Sequence, residues 1–264
     1  MVYIVIDTGS RAKGYAIESS DLDLKVYSKC SREQFELYID NKQLLKNAHK
    51  RVELCDVFTV NGGDNDTKTL SPHELCDVVY IDLYVGMIGI VTGKSPDLGV
   101  FLKENDIKNE DGTVNTQLYK FIKDLTHLSL CPIVTTMMKY VILPKNKNLL
   151  QLMFNYVYVE YYLKYGKAPQ STRILNIVYE LNDDTMATPV NTPNATMYQQ
   201  KVVDMYVKLM NRDNCNEENV VFFEHWKNDI LQRLVCTCND HQQAVLRHNV
   251  VMYALHLQEP ILKL

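Results

Sequence analysis

The first hundred residues switch between two hydrophobic periods. Residues 2–6, VYIVI, are a β-branched and aromatic run of the kind that forms a buried strand. Gly9 and Ser10 break it, and residues 11–18 predict a short helix with Ser10 as N-cap, closed by Ser19 and Ser20. Residues 21–29 then alternate. Asp21, Asp23, Lys25 and Tyr27 fall on one face and Leu22, Leu24 and Val26 on the other, which predicts a half-buried strand. Residues 31–50 open on a capping box, SREQ, and carry Phe35, Ile39, Leu44, Leu45 and Ala48 at helical spacing. Strands are expected over 52–60 and 76–81, with a turn or loop at NGGDND, 61–66. Asp82 can cap a helix over 83–92 that Gly93 ends, with Gly86, Gly89 and Gly93 expected to loosen it.

Beyond residue 105 the pattern is helical. Helices are predicted over 115–123, 135–143 (stopping at Pro144), 149–165 (Tyr-rich, ending at Gly166), 172–181, 197–210, 219–234 and 241–257. Residues 181–196 hold two prolines and no periodicity, so they read as a loop or linker. No internal repeat is present. The expected architecture is α/β (α+β). A small mixed sheet with flanking helices forms a core at 1–105, and a helical region at 106–264 covers one side of its cleft.

Composition narrows this little. The chain has 264 residues, 46% apolar and 23% charged, with a formal net charge of −4. That charge argues against a global field for nucleic acid, so any basic groove must be local. Seven cysteines, odd in number and without a C-x-x-C pair, fit free thiols in a reducing compartment. The N-terminal stretch reads as a first strand rather than a signal peptide, and no apolar run approaches the ~18 residues of a membrane span. The expected location is the cytoplasm of a cell or of a virus-infected host. An Asn194-Ala-Thr sequon would not be used there.

The chemistry concentrates in residues 7–29. Glycine at a strand-to-turn junction lets backbone N–H groups approach a phosphate, and the Ser10 hydroxyl and a following helix N-terminus add donors. Arg11 and Lys13 add positive charge, without the pattern saying which points inward. Asp21 and Asp23 are i and i+2 on one strand face, about 7 Å apart at the Cα atoms. Paired carboxylates suit hard cations, and two Mg²⁺ (or Mn²⁺) ions can clamp the attacking and leaving oxygens of an in-line phosphoryl displacement. Without such a partner, Asp-x-Asp would be an ordinary solvated strand face.

GS, RAKGYAIESS and DLDL in succession resemble the signature of the DNA polymerase β-like nucleotidyltransferase superfamily, and Gly14 matches a GSRAxG variant of it. The resemblance implies that Gly9 and Ser10 bind a nucleoside triphosphate and that Asp21 and Asp23 bind metal. Residues 76–102 are similar to a strand-then-helix block of an RNA-repair-ligase-associated, phage-type subgroup, through Asp77, Asp82, Leu83, Pro96, Leu98 and Leu102. Residues 155–175 resemble that subgroup's helical half. The superfamily uses a third carboxylate, which also serves as base toward the acceptor. Asp77 is the choice, Asp56 the second, and Asp82 reads instead as a helix cap.

The implied activity is transfer of a nucleoside monophosphate from a triphosphate to an acceptor hydroxyl, with release of pyrophosphate. The expected acceptor is an RNA or tRNA end. Alternatives are a protein hydroxyl (AMPylation), a second nucleotide, or a non-catalytic nucleotide-binding protein.

Other clusters read as structural. Cys236, Cys238 and His241 lack a fourth ligand for zinc. No nucleophile pairs with His225, His248 or His256 by motif. The tyrosines at 156, 158, 161, 162 and 165 read as packing rather than base-stacking. Lys139, Lys145 and Lys147 around Pro144 read as a solvated loop, with a basic lip as the alternative.

Overall fold

The computed structural model describes residues 3–18, 20, 22–28, 48–53, 58–62, 66–70, 75–109, 112–182, 195–211, 217–234 and 244–250. Seven strands are present among these: β1 Tyr3–Asp7, β2 Asp23–Ser28, β3 Ala48–Glu53, β4 Phe58–Gly62, β5 Asp66–Leu70, β6 Leu75–Asp82 and β7 Ile107–Lys108. Five form one mixed sheet in the order β3-β6-β2-β1-β7, and β4 and β5 pair separately. Only β2 and β6 run parallel; the other pairs in the main sheet are antiparallel. The helices are α1 Leu83–Thr92, α2 Asp97–Phe101, α3 Thr116–Leu128, α4 Leu130–Met137, α5 Asn146–Tyr165, α6 Ile174–Asn182, α7 Ala195–Met210 and α8 Glu217–Arg233. Residues 244–250 are also helical. The expected α/β class, with a small mixed sheet, flanking helices and a helical C-terminal region, is therefore observed.

The helix ends follow local chemistry. Asp82 Oδ1 accepts the N–H groups of Tyr84 and Val85 at 2.8 and 3.2 Å, the capping role expected of it. Asn115 Oδ1 caps α3 through the Leu118 N–H at 2.9 Å. Gly93 and Gly166 close α1 and α5 in the left-handed conformation.

The pattern of β2 departs from the expected alternation at one position. Tyr27, expected on a polar outward face, is fully buried. Registered residues of an antiparallel pair share a face, so Ile4 and Ile6 of β1 join Tyr27 and Lys25 of β2. Helices α1 and α2 lie on that face: a Cβ at Gly86 would stand 2.7 Å from the Tyr27 ring, and Lys25 pairs with Asp97 of α2. The glycines of α1 thus let it approach its neighbours closely rather than loosening it. A Cβ at Gly89 would lie 2.7 Å from the Ser95 carbonyl oxygen.

Four further expectations change. Residues 11–18 form no helix. The chain makes a turn over residues 10–14, closed by Tyr15 N–H to Ser10 O at 2.9 Å, and Gly14 at φ 80° stops helical propagation. Residues 48–50, read as the end of a helix, belong to β3, and the rest of that predicted helix lies outside the described residues. The helix placed at 135–143 begins earlier and ends at Met137. Pro132 fits its first turn, where N–H groups have no intrahelical partner. Finally, Cys131 is disulfide-bonded, so the cysteines are not all free thiols.

One continuous apolar core runs from Ile4 and Ile6 through Phe101 and Phe154 to Trp226 and Val250. Helix α5 is its axis. Tyr156, Tyr158 and Tyr161 are buried along it, and Tyr156 meets Trp226 edge-on at 5.2 Å between ring centroids. These three tyrosines pack, as expected, and present no ring for stacking bases.

Candidate active site

The Gly-Ser turn is shaped from both sides. On the sheet side, the Asp7 carboxylate at the end of β1 accepts the Gly9 N–H at 3.0 Å. On the helical side, Thr172 Oγ1 donates to Ala12 O at 2.9 Å, and the Ile174 N–H at the start of α6 donates to Lys13 O at 3.1 Å. The Tyr206 hydroxyl of α7 donates to Gly14 O. Three contacts from the helical region therefore hold a turn that belongs to the sheet.

Asp23 opens β2 beside this turn. A Cβ at residue 9 would lie 2.1 Å from Asp23 Oδ2 and 2.8 Å from its Cβ. Only glycine leaves that carboxylate its place. The Gly9 N–H is spent on Asp7, so glycine here serves close approach rather than donation to a ligand.

Ser10, Tyr15, Ser20 and Asp23 line one wall of a cleft of about 280 Å³. Asn146, Lys147 and Leu150 of α5, with Leu209 and Met210 of α7, form the other. A largely apolar lining with a few convergent polar groups, between the sheet and the helices, is a usual setting of a ligand site.

The two cations of the turn behave differently. Arg11 Nη2 donates to Ser20 O at 2.9 Å and so ties the turn to the approach to β2. Lys13 points into the protein. Its Nζ donates to Gln151 Oε1 at 2.7 Å and lies 5.6 and 5.7 Å from the ring centroids of Phe101 and Phe154. Burial lowers its pKa, opposed by the carboxylates of Asp97 and Asp23. Neither residue lines the cleft; Lys147 is its lysine. Gln151 also accepts the Tyr15 hydroxyl at 3.1 Å and donates to Asn155 at 3.0 Å, linking turn and α5 in one network.

Asp7 is the carboxylate that sequence reasoning missed. It is buried, and its pKa is raised by that burial, lowered by the Gly9 N–H, and raised again by nearby Asp23. Its only signal in the sequence was an acid closing an otherwise apolar strand. Asp77 stands level with Asp23 on the neighbouring parallel strand, in direct backbone register. Asp21 and Asp56 lie outside the described residues, as do Cys236, Cys238 and His241. Among the described residues no group of three or more His, Cys, Asp or Glu is arranged to hold a metal ion. The donors described there are carboxylate oxygens, the ligand type of a hard divalent cation, and the charge of Asp23 helps to raise the pKa of Asp7.

Over 99% of its length the chain aligns with Protein Early 65 kDa of Autographa californica nuclear polyhedrosis virus, at 43% identity. It spans about half of that relative, 48% of its length. No protein-family model matches the chain, and no solved structure does. No helix among the described residues is long and apolar enough to cross a membrane.

Proposed function

We propose that this chain is a metal-dependent nucleotidyltransferase of the DNA polymerase β-like type. The observation that carries the reading is the Asp23 carboxylate seated against Gly9 at the edge of a cleft that it shares with Ser10 and Lys147. The direct register of Asp77 with Asp23 supports it as the third acid.

In this reading Ser10 and Lys147 receive the triphosphate, and Arg11 holds the loop that carries Ser20. Lys13 offsets negative charge from behind the turn. Asp21, Asp23 and Asp77 would hold two Mg²⁺ or Mn²⁺ ions, which neutralise charge on the phosphates when bound. A bond forms from the acceptor hydroxyl oxygen to the α-phosphorus, and the bond from that phosphorus to the β-bridging oxygen breaks. Pyrophosphate leaves, and the hydroxyl proton passes to a carboxylate, for which Asp77 is the proposed base. An RNA or tRNA end is the leading acceptor. A protein hydroxyl and a second nucleotide are the alternatives. The likeness to a viral early protein supports a virus-infected host cell as the setting.

A non-catalytic nucleotide-binding role draws on one observation, the Gly9 N–H that Asp7 occupies and so withholds from a phosphate.

Label transfer separates these readings. The protein is incubated with each α-³²P nucleoside triphosphate, Mg²⁺ or Mn²⁺, and either total RNA, a host-cell protein lysate or buffer. Asp21→Ala/Asp23→Ala is run beside it. Label in one fraction that disappears with the double variant is the expected result and identifies the acceptor class. Triphosphate binding without transfer to any fraction means a non-catalytic protein.

A further inference from the structure

The connection between α4 and α5, KYVILPK at 139–145, leads directly into the cleft wall at Asn146 and Lys147. It exposes large apolar side chains: Tyr140 is 49% accessible, Val141 68% and Leu143 44%. Lys139, Lys145 and Lys147 are exposed on either side of them, and none has an ion pair among the described residues. The backbone between them is held. The Leu143 N–H donates to Asn148 Oδ1 at 2.7 Å, and Lys227 Nζ donates to Tyr140 O at 3.2 Å.

Ile142 packs inward against the core, while the loop exposes one aromatic and two aliphatic side chains between lysines that have no ion pair among the described residues. The protein as a whole is acidic, so three exposed lysines at one rim, without an ion pair among the described residues, are a local concentration of positive charge. Lysine is depleted at the core of protein–protein interfaces, whereas phosphate backbones take lysines and unstacked bases take an exposed ring. Resting on the nucleotidyltransferase reading of the cleft, we infer that residues 139–145 are the docking lip for a single-stranded polynucleotide acceptor. Tyr140 stacks a base and Lys139 and Lys145 hold the flanking phosphates, while the strand's end enters beside Lys147.

The probe is a fluorescein-labelled oligouridylate of about a dozen nucleotides, titrated by anisotropy across a KCl series. Lys139→Glu/Lys145→Glu and Tyr140→Ala are compared with the unmodified chain. The charge-reversal variant is expected to bind at least about tenfold more weakly near 0.1 M salt, with the log–log salt slope reduced by about 1.4. Tyr140→Ala is expected to lose affinity with the slope unchanged. Thermal stabilisation by nucleoside triphosphate and Mg²⁺ is followed in parallel and is expected to be equal in all three proteins, which shows that they fold. Absence of oligouridylate binding, or binding indifferent to both variants, overturns the lip. So does a lip that instead retains a co-purifying protein lost in the charge-reversal variant. Lip-dependent oligouridylate binding without any triphosphate effect keeps the surface but refutes the nucleotidyltransferase reading.

Discussion

Gly9 and Asp23 occupy space that only one of them can fill with a side chain. The position of a Gly9 Cβ is 2.1 Å from Asp23 Oδ2, well inside van der Waals contact. The two residues lie on different sides of a turn, one ending the approach from β1 and the other beginning β2. The glycine therefore sets where the carboxylate sits.

Gly9→Ala is expected to displace Asp23 while leaving the rest of the sheet intact. An ångström-scale misplacement of a reacting group costs about 10²-fold in rate. Label transfer should fall by that order with the thermal midpoint nearly retained. Transfer at the unmodified rate would show that Asp23 takes no part in it.

Gly86→Ala tests the packing beneath the sheet. In an exposed helix this change would stabilise by roughly 1 kcal/mol. Here the new methyl would meet the buried Tyr27 ring at 2.7 Å and Leu98 at 3.0 Å. Overpacking of this kind costs about 1–3 kcal/mol, so net destabilisation is expected in urea unfolding. Gly112→Ala, with nothing within 4 Å of the added methyl but a φ of 80°, isolates backbone strain from contact.

Lys123 gives a pH signature. Its Nζ donates to Gly99 O at 3.0 Å, and burial pushes its pKa down from 10.5 to about 8, with Asp106 opposing. The unfolded chain therefore binds more protons between those values, and stability rises with pH across that window. Below about pH 8 the cost of the buried charge is fully present. Above pH 10 the trend reverses, because buried Tyr158 resists ionisation in the folded state and ionises freely in the unfolded one. Lys123→Met is expected to be more stable at pH 7 and to flatten the rise between pH 8 and 9.5, read from urea midpoints at each pH.

Gln151→Leu tests the network behind the turn. It removes the acceptor shared by Lys13 and Tyr15 in a part-buried setting. Losing the partner of a buried group costs about 1–3 kcal/mol. Lower stability and weaker triphosphate-induced stabilisation are expected together. Gln151→Glu restores the acceptor and should recover the first of these.

Much of the backbone was legible from residue order. Period-two alternation marked β2, the apolar runs marked β1 and β6, and Asp82, Gly93 and Gly166 marked helix ends, because each acts through bonds to residues a few positions away. Ser10, Asp23 and Asp77 were chosen by type and spacing, and cleft lining or backbone register brings them to one end of the sheet. What could not be read were contacts between distant segments. The burial of Tyr27 depended on where α1 would lie, and the inward turn of Lys13 depended on Gln151, far along the chain. The second wall of the cleft depended on Asn146 and Lys147 arriving opposite Ser10. Local propensity and pattern determine the elements because their interactions span a few residues. The fit of Gly9 to Asp23, and of the helical half to the turn at 10–14, was decided only when long-range packing brought segments together in space.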